Sequence, residues 1–274
     1  MAENGIDNPN RIEAGDFLDI CVRNRINDIT GERRVRTPPP STPPTTNPPA
    51  NPFGTGVQAQ QEQLNRLFAG KGLPALAVDG DSGSLTQQQL CAARALLGLP
   101  VSRADVAPGS DEERALMAAG GLPIPGGAPS GSARWALIDV TCQVMFIGQG
   151  AEQLSFVFPT STGEPGFETP EQRDSRVFRF DPARKNGGWH DSADYPSAID
   201  NPLNGNMYKP LYFDGGRAIH GAGYVPTDPQ SKGCARLAVP NQDTLVYWLG
   251  LFEEGAPIWD TGRIDFTVSV QGRY

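Results

Sequence analysis

From residue 133 onward the chain alternates between apolar and polar positions with a period of two. Ile138, Val140, Cys142, Val144 and Phe146 fall on one side of that alternation, with Asp139, Thr141 and Gln143 on the other. Leu154, Phe156 and Phe158 repeat the pattern, and Ile264, Phe266, Val268 and Val270 close it. Extended backbone sends successive side chains to opposite faces, so these runs predict strands, with Gly and Pro clusters as the turns between them. One helix is expected after Asn241, with Leu245, Trp248, Leu249 and Phe252 as its apolar stripe and Gly255 as its stop. Residues 133–274 are thus expected to form a β-rich domain, a sandwich or half-open barrel with one or two helices.

Ahead of this domain the period changes to that of a helix. Val57, Gln61, Leu64 and Phe68 recur at near-helical spacing and are stopped by Gly70 and Gly72. A tight polar turn, Val78 to Gly83, precedes a second helix, in which Thr86 and Gln89 have the spacing of a capping box and Leu90, Ala93 and Leu97 form the apolar stripe. Two linkers divide the chain. The stretch TPPPSTPPTTNPPANP is dense in proline, which favours extended, solvated backbone, and PIPGGAPSGS is a weaker break. The expected organisation is a partial N-terminal segment (1–36), a Pro-rich linker (37–54), a small α-helical domain (55–112), a second linker (113–132) and the β-rich domain (133–274).

Composition narrows the function. With 32 Gly and 26 Pro in 274 residues, turns and linkers outweigh long helices. The net charge of -8 shows no basic patch to neutralise phosphates, which argues against a nucleic-acid partner. No apolar run approaches the ~20 residues needed to span a bilayer, and no secretory signal opens the chain. The four cysteines, at 21, 91, 142 and 234, are far apart, and only two histidines accompany them, so no clustered metal-ligand set is expected and no cofactor is implied.

The stretch with chemistry in it is AIHGAGYVPTDPQSKGCARL, Ala218 to Leu237. An apolar strand end delivers His220 and Gly221, a polar loop follows, and then come Ser231, Lys232, Gly233, Cys234 and Arg236. A thiol attacks carbonyl carbon well only as thiolate, and an imidazole close by can take its proton. Gly233 lets the backbone approach a substrate closely, and the N–H groups around Gly233 and Cys234 are candidates to face a developing oxyanion. Arg236 supplies a fixed charge that can tether the loop or meet a carboxylate. Taken by themselves, a cysteine and a histidine in one domain are more often two unrelated residues, and buried thiols behave as small hydrophobes.

The arrangement of the motifs goes further. A strand ending in I-H-G, a loop and S-x-G-C-x-R-L resembles the L,D-transpeptidase catalytic domain, also called the YkuD domain. The likeness extends to Leu137-Ile138-Asp139-Val140, to Pro159-Thr160-Ser161-Thr162-Gly163 with Pro165, Thr169 and Pro170, to Tyr212-Phe213 before Gly215-Gly216, and to Pro240-Asn241-Gln242-Asp243. The resemblance implies that Cys234 attacks the L-centre carbonyl of a tetrapeptide stem and expels D-alanine, with His220 taking the thiol proton. An amine of a second stem then resolves the thioester as a cross-link, or water does so as in an L,D-carboxypeptidase. Lys232 occupies a position where relatives often carry histidine, and its charge is expected to lower the thiol pKa or receive a carboxylate. Met207, Tyr208 and Tyr212 are the candidate substrate-binding residues. His190, beside Trp189 in the long loop 185–206, reads as an exposed loop histidine.

The flanking segments fit the same setting. N-G-I-x-N-P-N-x-I followed by G-x-x-L-x-I, Asn4 to Ile20, resembles the C-terminal half of a LysM module, so the chain is expected to begin inside a longer protein. The order L-x-x-L, V-D-G-x-x-G and a second helix resembles a small three-helix peptidoglycan-binding domain. Its usual aromatic is missing from ARALLGL, so glycan binding and a spacer role both stay open. The implied partners are peptidoglycan stem peptides and glycan, with carbapenem-type β-lactams as inhibitors, and the implied location is extracytoplasmic. In such a location a Cys91–Cys142 disulfide is one reading of those two residues. The apolar side of the strand pattern favours the other, a buried free thiol at Cys142. A non-catalytic wall-binding scaffold and a generic cysteine peptidase are the rival readings of the whole.

Overall fold

A computed structural model describes residues 54–180, 189–191, 206–251 and 259–274. The LysM-like segment, all but the last residue of the Pro-rich linker, most of the loop 185–206, Phe252 and Gly255 lie outside the described residues. Three helices come first: α1 (Val57–Leu67), α2 (Ser84–Leu97) and α3 (Asp111–Ala118). They are followed by β1 (Arg134–Asp139), β2 (Val144–Gln149), β3 (Gln153–Pro159), β4 (Gln172–Phe180), β5 (Trp189–Asp191), β6 (Asn206–Asp214), β7 (Arg217–Ala222), β8 (Ala235–Ala238), α4 (Val239–Trp248) and β9 (Trp259–Gln271).

The strands form one hydrogen-bonded path in the order β3-β2-β1-β9-β4-β6-β7-β8, with β5 added on β6. The β1–β9 and β7–β8 pairs are parallel, and the other pairs are antiparallel. The two ends of this path meet, because Ser161 and Gly163, just past β3, bridge Arg236 and Ser231. The half-open barrel of the sequence reading is therefore the better of its two descriptions.

Strand β1 and its neighbours are apolar on both faces for a reason the single-strand reading misses. The run from Ile138 to Phe146 is a hairpin, not one strand: Asp139 ends β1, and its carboxylate accepts the Cys142 N–H at 2.9 Å to close the turn. Gln143 completes that turn at φ 55. Within the hairpin, Ala136, Ile138, Met145 and Ile147 join Leu211, Ile219, Leu245 and the alternating side chains of β9 in the barrel core. Trp135, Leu137, Val144 and Phe146 face outward and meet Leu64, Phe68, Leu90 and Leu96 of the helices in a second core. The helices are thus packed directly on one wall of the sheet.

That packing decides the local details of the helices. Thr86 is not a cap, since α2 already starts at Ser84 after Gly83. Its buried hydroxyl instead takes Gln61 Nε2 at 3.4 Å, and Gln89 Nε2 donates to Pro74 O at 2.6 Å, so tertiary bonds outweigh the local cap. A true cap lies just before the expected 113–132 linker, whose first residues belong to α3 and not to irregular chain: Ser110 Oγ accepts the Glu113 N–H at 3.1 Å. Burial alone would raise the Glu113 carboxyl, but bonds from Gln60, Gly109 and Gly56 outweigh it and hold the carboxyl below its usual range. Helix α4 starts two residues before Asn241, with Pro240 in its first turn, where a missing N–H costs nothing, and ends at Trp248.

Cys91 of α2 and Cys142 of the β1–β2 turn form a disulfide, with Cα atoms 5.2 Å apart. This corrects the free-thiol reading of Cys142, which assumed a continuous strand. In the turn its side chain points to the helices. No helix among the described residues is long and apolar enough to cross a membrane.

Candidate active site

The segment from Pro159 to Gly163 is extended backbone lying against the loop between β7 and β8, and it holds that loop residue by residue. Ser161 O accepts the Arg236 N–H at 3.0 Å, Thr162 O accepts the Ser231 N–H at 2.9 Å, and Ser231 O accepts the Glu164 N–H at 3.0 Å. Side chains complete the contact. Thr160 Oγ1 donates to Arg236 O, Ser161 Oγ to Asp228 O, and Thr169 Oγ1 to Gly233 O, all between 2.8 and 2.9 Å. Thr160, Ser161 and Thr162 are fully buried because their hydroxyls are spent here. Beneath them, Gln143 accepts the Thr162 N–H and donates to Thr162 Oγ1 and Val140 O, while Gln88 of α2 donates to Gln143 O at 2.7 Å. A chain of bonds thus runs from α2 to the loop that ends at Cys234.

In the parallel β7–β8 pair, Ile219 is opposite Ala235 and His220 opposite Arg236. Cys234, one residue before β8, lands beside Ala218, whose N–H donates to its Sγ at 3.4 Å. Alternation along β7 sends Ile219 into the barrel core and puts Ala218 and His220 on the other face, that of Cys234. The thiol packs there against Met207, Tyr212 and Ala218. Met207 and Tyr212 share this face, although five residues apart, because Lys209 takes φ 45 and shifts the β6 register. Tyr208 does not join them. Its ring covers Gly221 and its hydroxyl donates to Asp243 of α4 at 2.9 Å.

Electrostatics leave both groups neutral at rest. His220 is buried, and desolvation brings its pKa down to about 4, against the raising effect of its bond to Gly221 O and with a smaller lowering from Arg236. A carbonyl can only accept, so Nδ1, 3.0 Å from Gly221 O, carries the ring proton and Nε2 is left as the free base. Cys234 is half-buried as a residue, yet its Sγ sits among apolar groups, and desolvation raises the thiol. The Ala218 N–H, Arg236 and Arg217 pull the other way.

Lys232 is not among the groups acting on the thiol. Its Nζ pairs with Glu164 and lies 4.0 Å from the centre of the Phe167 ring, so its charge fixes the neighbouring loop instead of activating Cys234. The cation that sequence reasoning missed is Arg217. It pairs with Asp214 at 2.7 Å and lies over Gly233. Its signal in the sequence was only its strand position, three residues before His220. The Gly233 N–H, expected to be open, donates to Ser231 Oγ at 3.1 Å, and Ser231 Oγ donates to Cys234 O at 2.6 Å. His190 lies on β5 opposite Met207 of β6.

Gly233 adopts φ 104, and a Cβ there would lie 2.8 Å from Arg217 Nε and 3.4 Å from Phe167 O. Gly233→Ala is therefore expected to cost about 1–3 kcal/mol in stability and to push the Arg217 side chain away from the loop. Chemical denaturation, together with the rate of Cys234 alkylation by iodoacetamide, checks this; unchanged values in both would refute the close packing.

Among the described residues no cluster of His, Cys, Asp and Glu could hold a metal ion. No protein-family profile and no curated protein matches the chain. Solved structures do. An L,D-transpeptidase from Xylanimonas cellulosilytica is 24% identical, with 84% of this chain and 100% of that one covered and a TM-score of 0.43. An L,D-transpeptidase from Stackebrandtia nassauensis is 16% identical over 85% of this chain and 98% of that one, with a TM-score of 0.38. For an L,D-transpeptidase from Mycobacterium smegmatis the values are 16% identity, 52% and 59% coverage and a TM-score of 0.33.

Proposed function

We propose that the chain is a cell-wall L,D-transpeptidase in which Cys234 is the acyl-accepting nucleophile and His220 its base. The observation that carries this reading is the shared face of β7 and β8, where a rigidly held loop sets the only free thiol among the described residues next to a strand whose neutral histidine has Nε2 open. His220 Nε2 takes the Sγ–H proton as the sulfur adds to the carbonyl of the stem's L-centre residue. The tetrahedral intermediate collapses by breaking the C–N bond to D-alanine, whose amine receives that proton from the imidazolium. The amine of a second stem then attacks the thioester, loses a proton to Nε2 and releases the Cys234 thiol. Because the Gly233 N–H is committed to Ser231, the donor this loop can offer the oxyanion is the Cys234 N–H. Met207 and Tyr212 form the apolar wall beside the sulfur, and Arg217 and Arg236 give the site its positive charge. Peptidoglycan stem peptides as substrate, carbapenems as acylating inhibitors and an extracytoplasmic location belong to this reading. The Cys91–Cys142 disulfide supports that location, since such bonds persist in oxidising compartments.

The test is intact mass after incubation with a carbapenem and, separately, with a disaccharide-tetrapeptide. A covalent adduct on the wild type and none on Cys234→Ala, with D-alanine release and a dimeric product, is the expected result. D-alanine release without dimer makes the site an L,D-carboxypeptidase. The enzyme reading fails, and a wall-binding scaffold takes its place, if neither adduct nor release is seen.

A further inference from the structure

The protein has a second cleft, lined by neither Cys234 nor His220, where the start of α2, the segment after it, the β1–β2 turn, the middle of the β7–β8 loop and residues 273–274 meet. Its volume of about 720 Å³ is of the size that takes a small ligand. Gln87, Arg103, Asp228, Arg273 and Tyr274 are on its wall. Arg103 and Arg273 bring two guanidinium groups to this wall, and Asp228 a side-chain carboxylate. Among the described residues neither arginine is ion-paired.

Arg103 is fixed in place. It donates to Thr227 O at 2.6 Å and to the Tyr274 hydroxyl at 3.0 Å, and its guanidinium lies 5.5 Å from the centre of the Tyr274 ring. Tyr274 is nevertheless 63% exposed, so its ring is held by a cation and a hydrogen bond and not by burial. An aromatic ring presented to solvent offers a face for the C–H surface of a pyranose, and the Ser84 hydroxyl and Gln87 amide on the same wall can meet sugar hydroxyls. Arg273, exposed and without a carboxylate side-chain partner among the described residues, suits an anionic substituent on that sugar. The cleft also adjoins the nucleophile's own backbone. Thr227 and Asp228 lie midway along the loop that ends at Cys234, and Asp228 O is held by Ser161, whose backbone pairs with Arg236.

We propose that this cleft is a saccharide-binding site that takes the peptide-free, carboxylate-bearing amino-sugar residues of a glycan strand, holding the strand while Cys234 works on a peptide attached elsewhere along it. The choice of saccharide rests on the cell-wall reading above. A second hold on the polymer raises the effective concentration of its short peptides at the thiol.

The experiment is calorimetric titration of the full chain with peptide-free peptidoglycan strands, whose lactyl carboxylates are free, and with a neutral N-acetylglucosamine oligomer of similar length. The acidic strands are expected to bind more tightly than the neutral oligomer. Tyr274→Ala and Arg273→Ala should each weaken that binding roughly five- to tenfold. Arg273→Ala should also flatten its dependence on salt. Both substitutions are on the surface, so melting temperature and iodoacetamide labelling of Cys234 should stay as in the wild type. Absence of binding, or binding equal in wild type and both variants, overturns the site. Carbapenem acylation is read on the same samples: acylation without glycan binding removes the cleft alone, and glycan binding without acylation removes the enzyme reading and leaves the cleft.

Discussion

His220→Gln is expected to slow acylation of Cys234 by about 10²–10⁴-fold, the usual contribution of a positioned general base. The same substitution should change how stability depends on pH. In the folded protein His220 stays neutral down to about 4, whereas in the unfolded chain it protonates near 6.5. Between those values the unfolded state binds a proton that the folded state excludes, so the wild type loses stability as pH falls. The loss attributable to this group amounts to about 3 kcal/mol at full development. Glutamine does not titrate, so the variant should gain on the wild type by that amount between pH 7 and pH 4. The depressed pKa also predicts that wild-type acylation keeps its base well below pH 6, with the limb due to imidazole protonation near 4. Urea denaturation across this range and intact-mass acylation rates measure the two effects. A variant that acylates at the wild-type rate would remove His220 from the reaction, and a pH-independent stability difference would mean that the imidazole is not desolvated as the structure has it.

How far the site was legible in the sequence depended on whether a residue acts through its chain neighbours or across space. Strand β9 was readable because Ile264, Phe266, Val268 and Val270 all enter one core, so its alternation is uninterrupted. The run Ile138 to Phe146 misled because both faces of the hairpin are buried, one against the barrel and one against the helices, and a turn closed by Asp139 looks periodic in sequence. His220, Gly233 and Cys234 stood out because they are close along the chain on either side of one loop. Arg217 and Gln143 did not, since each acquires its place only when distant segments meet: Arg217 over Gly233, and Gln143 beneath Thr160 and Thr162. Lys232 was misplaced for the same reason. Its position next to Gly233 suggested the thiol, but Glu164 and Phe167, some 65 residues earlier, capture its charge. Tyr208 and Met207 are chain neighbours and so look equivalent, yet strand geometry sends them to opposite faces.

Removing the Cys91–Cys142 bridge is expected to be the most damaging change outside the site. The two residues are 51 apart in sequence, and closing a loop of that length in the unfolded chain is worth about 4 kcal/mol. For a protein of this size that corresponds to a fall in melting temperature of roughly 8–16 °C in Cys91→Ala/Cys142→Ala. The consequence should reach the thiol, because Cys142 is next to Gln143 in the turn. Gln143 takes Gln88 of α2 on its carbonyl and the Thr162 N–H on its side chain, and Thr162 O holds the Ser231 N–H three residues before Cys234. Loosening α2 from the turn therefore withdraws support from the loop at its far end. Acylation of Cys234 should slow in the double variant, and by more than the loss of Gln88 alone would slow it in Gln88→Ala. Reduction of the wild type with dithiothreitol should reproduce both changes, since Cys234 is unaffected by the reductant once it is removed before assay. A melting temperature within about 2 °C of wild type would show that packing of the helices on β1 and β2, not the bridge, fixes the two parts together. A large thermal shift with normal acylation would instead confine the disulfide to stability and leave the loop held by the Pro159–Gly163 segment on its own.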